Sequence, residues 1–169
     1  MQVHEWLQTS TADDVMSRSV VVFQETDSVA QAAAAFLETQ ISGAPVVDND
    51  GHCVGVFTVT DVLLADQKVA AAVAEVAESS LFKSHLALPA SLYEEKLAQV
   101  RDRITPASEQ PIAHFMTTDV VSVTPATPLI NIVADMVNAH IHRVVVVDET
   151  GQPQGLISTT DVLAALLRE

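Results

Sequence analysis

The sequence predicts an α/β protein built from two tandem copies of one β-α-β-β-α unit. Three observations carry this. Residues 12–65 align with residues 112–165 without a gap, each position n matching n plus 100. Each copy holds an apolar, β-branched run, Ala44–Val47 or Arg143–Val147, followed by a polar turn containing Gly and a second such run. Each copy also places a helix-forming stretch, Ser28–Thr39 or Pro128–Ala139, ahead of that hairpin.

The elements follow in order. A short helical turn carries Asp14-Val15-Met16, or His114-Phe115-Met116. A first strand is expected near Val20–Phe23 and Val120–Val123. Asp27 or Ser28 can N-cap the next helix, and Thr127-Pro128 reads as a cap followed by a proline at the first helical position. The turns Asp48–Gly51 and Asp148–Gly151 supply residues that tolerate a left-handed backbone. Third strands are expected over Val54–Thr58 and Gln154–Ser158, and last helices open at Thr60-Asp61 and Thr160-Asp161. One repeat of about 54 residues is marginal for a stable core. Two repeats packed through their sheets solve that, and would form a cleft with approximate two-fold symmetry. The division is then 1–65 for the N-terminal segment and first repeat, 66–111 for a helical connector, and 112–169 for the second repeat. Within the connector, Val69–Ala77 extends the preceding helix, and Ser91 with Glu94 forms a capping-box pattern opening a helix over Leu92–Ile104.

Composition bounds the function. The chain has 169 residues, 49% of them hydrophobic but only 4% aromatic, so the core is expected to consist of Val, Ala, Leu and Ile. The formal net charge of -14 repels nucleic-acid phosphates and anionic lipid surfaces. A nucleotide, itself an anion, would need backbone N–H groups, hydroxyls, a few placed cations or accompanying Mg²⁺. The single cysteine, Cys53, cannot form an internal disulfide, which fits a reducing cytoplasm. The N-terminal residues lack the cationic and apolar regions of a signal peptide, and no apolar run reaches the roughly 18 residues that span a bilayer. The expectation is a soluble, cytoplasmic protein.

Two stretches carry a resemblance. The first runs Val15-Met16 … Ser42-Gly-Ala-Pro-Val-Val-Asp48 … Gly51 … Gly55-Val-Phe-Thr58-Val-Thr-Asp61-Val-Leu. The second runs Phe115-Met116 … Ile141-His-Arg-Val-Val-Val-Val-Asp148 … Gly151 … Gly155-Leu-Ile-Ser158-Thr-Thr-Asp161-Val-Leu. Both resemble CBS domains, and together they cover about two thirds of the chain, leaving out the connector and the first ten residues. The resemblance implies a Bateman module: two pseudo-symmetric repeats, often paired again into a disc-like homodimer. Such modules sense AMP, ADP, ATP, S-adenosylmethionine or related ligands, NAD being a further candidate, and regulate an attached or separate protein. No effector domain is seen in this sequence, so the regulated protein would be a separate, unknown chain.

The sharpest element is Gly-h-h-Thr/Ser-x-x-Asp, where h is apolar: Gly55…Thr58…Asp61 and Gly155…Ser158…Asp161. A strand ends and a helix begins there, exposing free N–H groups. A hydroxyl at Thr58 or Ser158 can donate to a phosphate oxygen, and the Asp carboxylate can accept from ribose hydroxyls. The same residues also suit plain helix capping. The resemblance puts the adenine against Val20, Val21, Ser42, Gly43, Ala44 and Pro45 in one copy, and against Val120, Val121, His142, Arg143 and Val144 in the other; for the valines this overlaps with ordinary core packing. The resemblance also places Arg18 and Arg143 near the cleft as candidate phosphate contacts, with a solvated surface charge the other reading of Arg18. Because the first repeat has Ser42-Gly43 where the second has His142-Arg143, the two sites are expected to differ in affinity or ligand. His140-x-His142 lacks a third ligand nearby in sequence, so no metal is expected. Cys53 has no partner pattern for a nucleophile, no phosphate-binding loop or dinucleotide fingerprint occurs, and no enzyme is expected. The competing reading is a ligand-free homodimer that uses the fold as a protein-binding scaffold.

Overall fold

A computed structural model describes residues 3–65 and 109–168. The connector helices expected over Val69–Ala77 and Leu92–Ile104 lie outside the described residues. The first stretch runs α1 (Val3–Thr9), α2 (Ala12–Val15), β1 (Phe23–Gln24), α3 (Val29–Thr39), β2 (Gly43–Val47), β3 (Cys53–Thr58) and α4 (Val59–Ala65). The second runs from a 3₁₀ turn (Ile112–His114) through β4 (Ser122–Val123), α5 (Leu129–Asn138), β5 (Arg143–Val147) and β6 (Pro153–Ser158) to α6 (Thr159–Leu166). The β-α-β-β-α order therefore occurs twice, as the repeat predicts. Each copy builds one three-stranded sheet, ordered β1-β2-β3 and β4-β5-β6.

The sheet of the second repeat is mixed. β4 lies parallel to β5, with Ser122 opposite Val145, because helix α5 carries the chain back across the sheet. β5 and β6 form an antiparallel hairpin that sets Arg143 opposite Ser158. The turn of each hairpin is an Asx turn. Asp48 Oδ1 accepts from the N–H groups of Asp50 and His52, and Asp148 Oδ1 from those of Thr150 and Gln152. Gly51 and Gly151 close the turns at φ +87° and +83°, where an L side chain is strained. The His52 N–H holds the Asp48 carboxyl below its ordinary range, and the Thr150 hydroxyl, followed by the Gln152 N–H, does the same for Asp148.

Local rules hold at most helix ends. Ser28 is the cap of α3: its hydroxyl accepts from Gln31 N–H, and Gln31 reaches back to Ser28 N–H at 2.8 Å. Two expectations need correction. Thr127 does not cap α5; its hydroxyl accepts from Thr124 N–H in the preceding turn, and Pro128 takes the cap position with no side-chain bond. The N–H of Leu129, the first helical residue, is met instead by the Ser10 carbonyl at 2.8 Å. The first strands are also shorter than expected: only Phe23–Gln24 and Ser122–Val123 pair as strands, which leaves Val20, Val21 and Val120 outside the sheets.

The described residues divide into two compact units drawn from separated segments. One comprises 3–22, 47–54 and 119–168; the other comprises 23–46, 55–65 and 109–118. In the first unit, the lead segment of the first repeat packs with the sheet of the second. Ser17 and Leu156 exchange backbone hydrogen bonds of 2.9 and 3.1 Å, adding one bridge to the β6 edge. Met16 lies over Gly155, where a Cβ would stand 2.5 Å from its sulfur. The second unit repeats the device. Thr117 exchanges backbone bonds of 2.9 and 3.0 Å with Val56, and Met116 lies over Gly55.

Each unit has its own core. In the first, Leu129, Ile132 and Met136 of α5 pack with Val144, Val146 and Ile157 of the sheet and with Ala12 and Met16. Helix α1, which the sequence reading did not anticipate, adds Trp6 at 7% exposure. The second unit departs from the expected aliphatic core. Phe36 meets Phe23 edge-on at 5.3 Å and stacks with Phe57 at 6.2 Å, and all three are buried. Three of the phenylalanines among the described residues are thus gathered in one core.

Candidate functional site

The two Gly-h-h-Thr/Ser-x-x-Asp elements form at the joints between β3 and α4 and between β6 and α6. Their internal geometry is nearly the same. Asp61 Oδ2 accepts from Thr58 N–H and from the Thr58 hydroxyl, both at 2.7 Å. Asp161 Oδ2 accepts from Ser158 N–H at 2.7 Å and from its hydroxyl at 2.6 Å. In return the Thr58 and Ser158 oxygens accept from the aspartate N–H groups at 3.4 and 3.2 Å. The capping role weighed above is therefore present in both copies. It occupies one carboxylate oxygen of each aspartate. In the first unit the Ser17 hydroxyl donates to Asp161 Oδ1 at a long 3.5 Å.

Burial separates the copies. Asp61 is 9% exposed, the one charged residue buried among the described residues, whereas Asp161 is half-buried. Desolvation outweighs the Thr58 hydrogen bonds and pushes the Asp61 carboxyl above its ordinary range. The loop before the hairpin is tied to each helix start: Val59 N–H donates to Ser42 C=O at 3.1 Å, and Thr159 N–H to His142 C=O at 3.0 Å. This places His142 and Arg143 beside Ser158 and Asp161 in the first unit, and Ser42 and Gly43 beside Thr58 and Asp61 in the second.

The remaining candidates sort by unit. Val20, Val21, Val120, Val121 and Val144 belong to the first unit with Arg18; Ala44 and Pro45 belong to the second. Ala44 and Val144 are 1% and 0% exposed, so their side chains are core. Any adenine contact at those two positions would fall to backbone. Val20, Val21, Val120 and Val121 keep part of their surface. Arg18 does not extend freely. Its guanidinium pairs with Asp13 at 2.8 Å and donates to the Asp13 carbonyl at 3.2 Å, in an exposed setting.

His140 sits at the end of α5 with φ +53°, mirrored by Gln40 at +56° at the end of α3. The sequence reading passed over one cluster, Asp48, Asp50 and His52, whose ligand atoms lie within 4.8 Å of one another on an exposed turn. The equivalent turn holds Thr150 and Gln152, and Asp148 there takes a hydrogen bond from Gln154 as well. An alternation of acids and histidine along the turn is the signal that could have been noticed. Among the described residues, no helix is long and apolar enough to cross a membrane.

The family model for the CBS domain matches residues 12–68 and again residues 112–168. The chain belongs to the CBS domain family. As a CBS pair it is similar to the CBS domain of a CBS domain containing membrane protein from Sphaerobacter thermophilus, at 30% identity and TM-score 0.66, covering 96% of this chain and 91% of that one. It shares its fold with the CBS domain pair of protein MJ0100, solved with 5′-methylthioadenosine and S-adenosyl-L-methionine: 19% identity, TM-score 0.64, 94% and 97% covered. It also shares it with CBSX2 solved with AMP: 20% identity, TM-score 0.65, 94% and 96% covered.

Proposed function

We propose that this CBS pair is a non-enzymatic, cytoplasmic regulatory module that binds an adenine nucleotide or related adenosyl ligand and signals to a separate partner protein. One observation carries the reading: the Ser/Thr–Asp element is formed twice with the same internal hydrogen bonds, and each leaves one aspartate oxygen outside the cap. That oxygen is the acceptor a ribose diol requires, and the neighbouring hydroxyl can turn from the aspartate to a phosphate. The CBS pairs solved with AMP and with S-adenosylmethionine support the ligand class. Candidate ligands are AMP, ADP and ATP, the last with Mg²⁺, together with S-adenosylmethionine and NAD. A thermal-shift screen of ligand-stripped protein tests this. A ligand at 100 times its Kd stabilises the native state by about 2.7 kcal/mol, a rise of several degrees. No shift with any of the five would overturn the reading.

A second reading, an interaction scaffold that pairs with another copy, is favoured by a different observation. α1, α5 and α6 border an apolar groove of about 340 Å³, lined by Leu7, Val133, Val137, Leu163 and Leu166 among others. Val137 is 65% and Leu163 57% exposed, positions that a solvated helix face leaves polar. Sedimentation of the protein and of Leu163→Glu decides it: a dimer that the substitution converts to monomer supports pairing through this face, and a monomeric parent refutes it.

A further inference from the structure

The two Ser/Thr–Asp elements match inside and differ in their surroundings. Arg18 lies in the lead segment of the first repeat, yet that segment docks on the sheet of the second: Ser17 bridges to Leu156 and reaches Asp161. Arg143 stands opposite Ser158 in the hairpin. Both arginines therefore lie on segments that adjoin the same element, with the Arg18 guanidinium paired to Asp13. Arg18, Arg143 and Arg168 are the Lys and Arg residues among those described, so two of the three are on segments beside this joint. The equivalent positions at the other element are Thr118 and Gly43, next to the buried carboxyl of Asp61.

We infer that the two elements take different ligand classes, the Ser158–Asp161 element an adenosyl ligand bearing a 5′-phosphate and the Thr58–Asp61 element one without a phosphate, with Arg18 and Arg143 setting the difference. The inference rests on the adenosyl-binding reading above and assigns its ligand chemistry. The charge arithmetic drives it. A phosphate dianion approaching a chain of net charge -14 meets repulsion everywhere except where cations are placed. Arg18 is such a cation. Its pair with Asp13 is exposed, and exposed pairs are weak, so an incoming phosphate can share the guanidinium. At the Thr58–Asp61 element a phosphate would meet a desolvated aspartate with no arginine at the matching positions. An uncharged or sulfonium-bearing 5′ group meets no such penalty.

The test is calorimetric titration of the full, ligand-stripped chain with AMP and with 5′-methylthioadenosine, whose 5′ group carries no charge. The variant is Arg18→Thr with Arg143→Gly, which installs the residues the other element uses. Arg168→Ala removes a cation elsewhere and serves as the control. The parent is expected to take one AMP per chain. The double variant should lose at least tenfold in AMP affinity, with a flatter salt dependence, while its 5′-methylthioadenosine affinity changes less than threefold. The control should behave as the parent. Equal AMP binding at two sites, unchanged AMP affinity in the double variant, or an equal loss for both ligands overturns the assignment while leaving the module an adenosyl binder. No heat with either ligand on the parent overturns the adenosyl reading itself.

Discussion

Gly155→Ala tests how the N-terminal segment is held against the second repeat's sheet. A methyl at Gly155 would lie 2.5 Å from Met16 Sδ, 2.9 Å from its Cγ and 3.1 Å from its Cβ. Carbon–carbon contact is comfortable only near about 3.5–4.0 Å. A methionine usually yields by swinging its end, but the clash with Cβ cannot be relieved that way. Met16 Cβ moves only with the backbone, and the Ser17–Leu156 bridge pins that backbone one residue on. Overpacking of this kind costs about 1–3 kcal/mol, offset by about 0.4–1 kcal/mol from the stiffer unfolded chain. A net loss of about 1–2 kcal/mol is expected. Met16→Ala alone should cost about 2–5 kcal/mol, since the side chain is 9% exposed in the core. In the double variant the contacts with Sδ and Cγ are gone and only the 3.1 Å contact with the Cβ at position 16 remains. The losses should then fall short of their sum by about 1 kcal/mol. Urea unfolding at constant m-value measures all four corners of the cycle. Losses that add to within about 0.5 kcal/mol would refute the direct contact. Because the segment carries Ser17 and Arg18, Gly155→Ala should also weaken AMP binding more than 5′-methylthioadenosine binding.

Three further outcomes follow from single features. Asp61 has its carboxyl raised by burial, so it favours folding most below its unfolded value of 3.8, and that advantage is lost as pH rises through the folded value. Asp61→Asn keeps an oxygen for the cap and cannot ionise, so its stability relative to the parent should rise with pH across that window; denaturation curves with a pH-independent difference would contradict the burial argument. Asp14 has the opposite sign: hydrogen bonds from Thr11 lower its carboxyl, so Asp14→Asn should lose ground to the parent as pH rises from the lowered folded value to 3.8, and an unchanged gap would refute it. Phe36→Ala opens the centre of the three-phenylalanine cluster and should cost about 3–5 kcal/mol, read as a lower urea midpoint; a loss under about 1 kcal/mol would mean the cluster does not hold that unit together.

The fold was legible because the chain states it twice. Runs such as Val144-Val-Val-Val147 and the Asp-x-x-Gly turns are unambiguous alone, and agreement at a spacing of 100 residues removes register as a free choice. Residue type narrowed the cap of α3 to Asp27 or Ser28, and the structure selects Ser28, which closes a capping box with Gln31. Three features were hidden for physical reasons. α1 has seven residues, too short for periodicity to stand out, and it is held by the burial of Trp6 on α5 and its neighbours. The first strands shrank because the valines at 20, 21 and 120 find no ladder partner, and β-branched residues favour a strand only where one exists. The phenylalanine cluster was invisible because a composition averages over the chain, while Phe23, Phe36 and Phe57 meet through tertiary packing.

The candidate elements were legible in residue type, but sequence order misleads about which segments lie beside each. Sequence order assigns Arg18 to the first repeat's element, 40 residues before Thr58. The fold assigns it to the second, because residues 11–17 bond to strand β6 and to the loop before α5. Ala12 N–H donates to Thr127 C=O at 2.9 Å, Asp13 N–H to Pro125 C=O at 3.0 Å, and Leu129 N–H to Ser10 C=O at 2.8 Å. The mirror set ties Ile112 N–H to Asp27 C=O at 2.8 Å and Val29 N–H to Gln110 C=O at 3.0 Å. Backbone bonds of this kind leave no mark on residue type, so a reader of one sequence has no means of seeing the exchange. Its consequence is chemical. A duplicated chain whose lead segments stayed with their own repeats would place one arginine at each element. Exchanging them brings both arginine-bearing segments beside one element and leaves Thr118 and Gly43 at the matching positions of the other, without any change in the residues that form the caps.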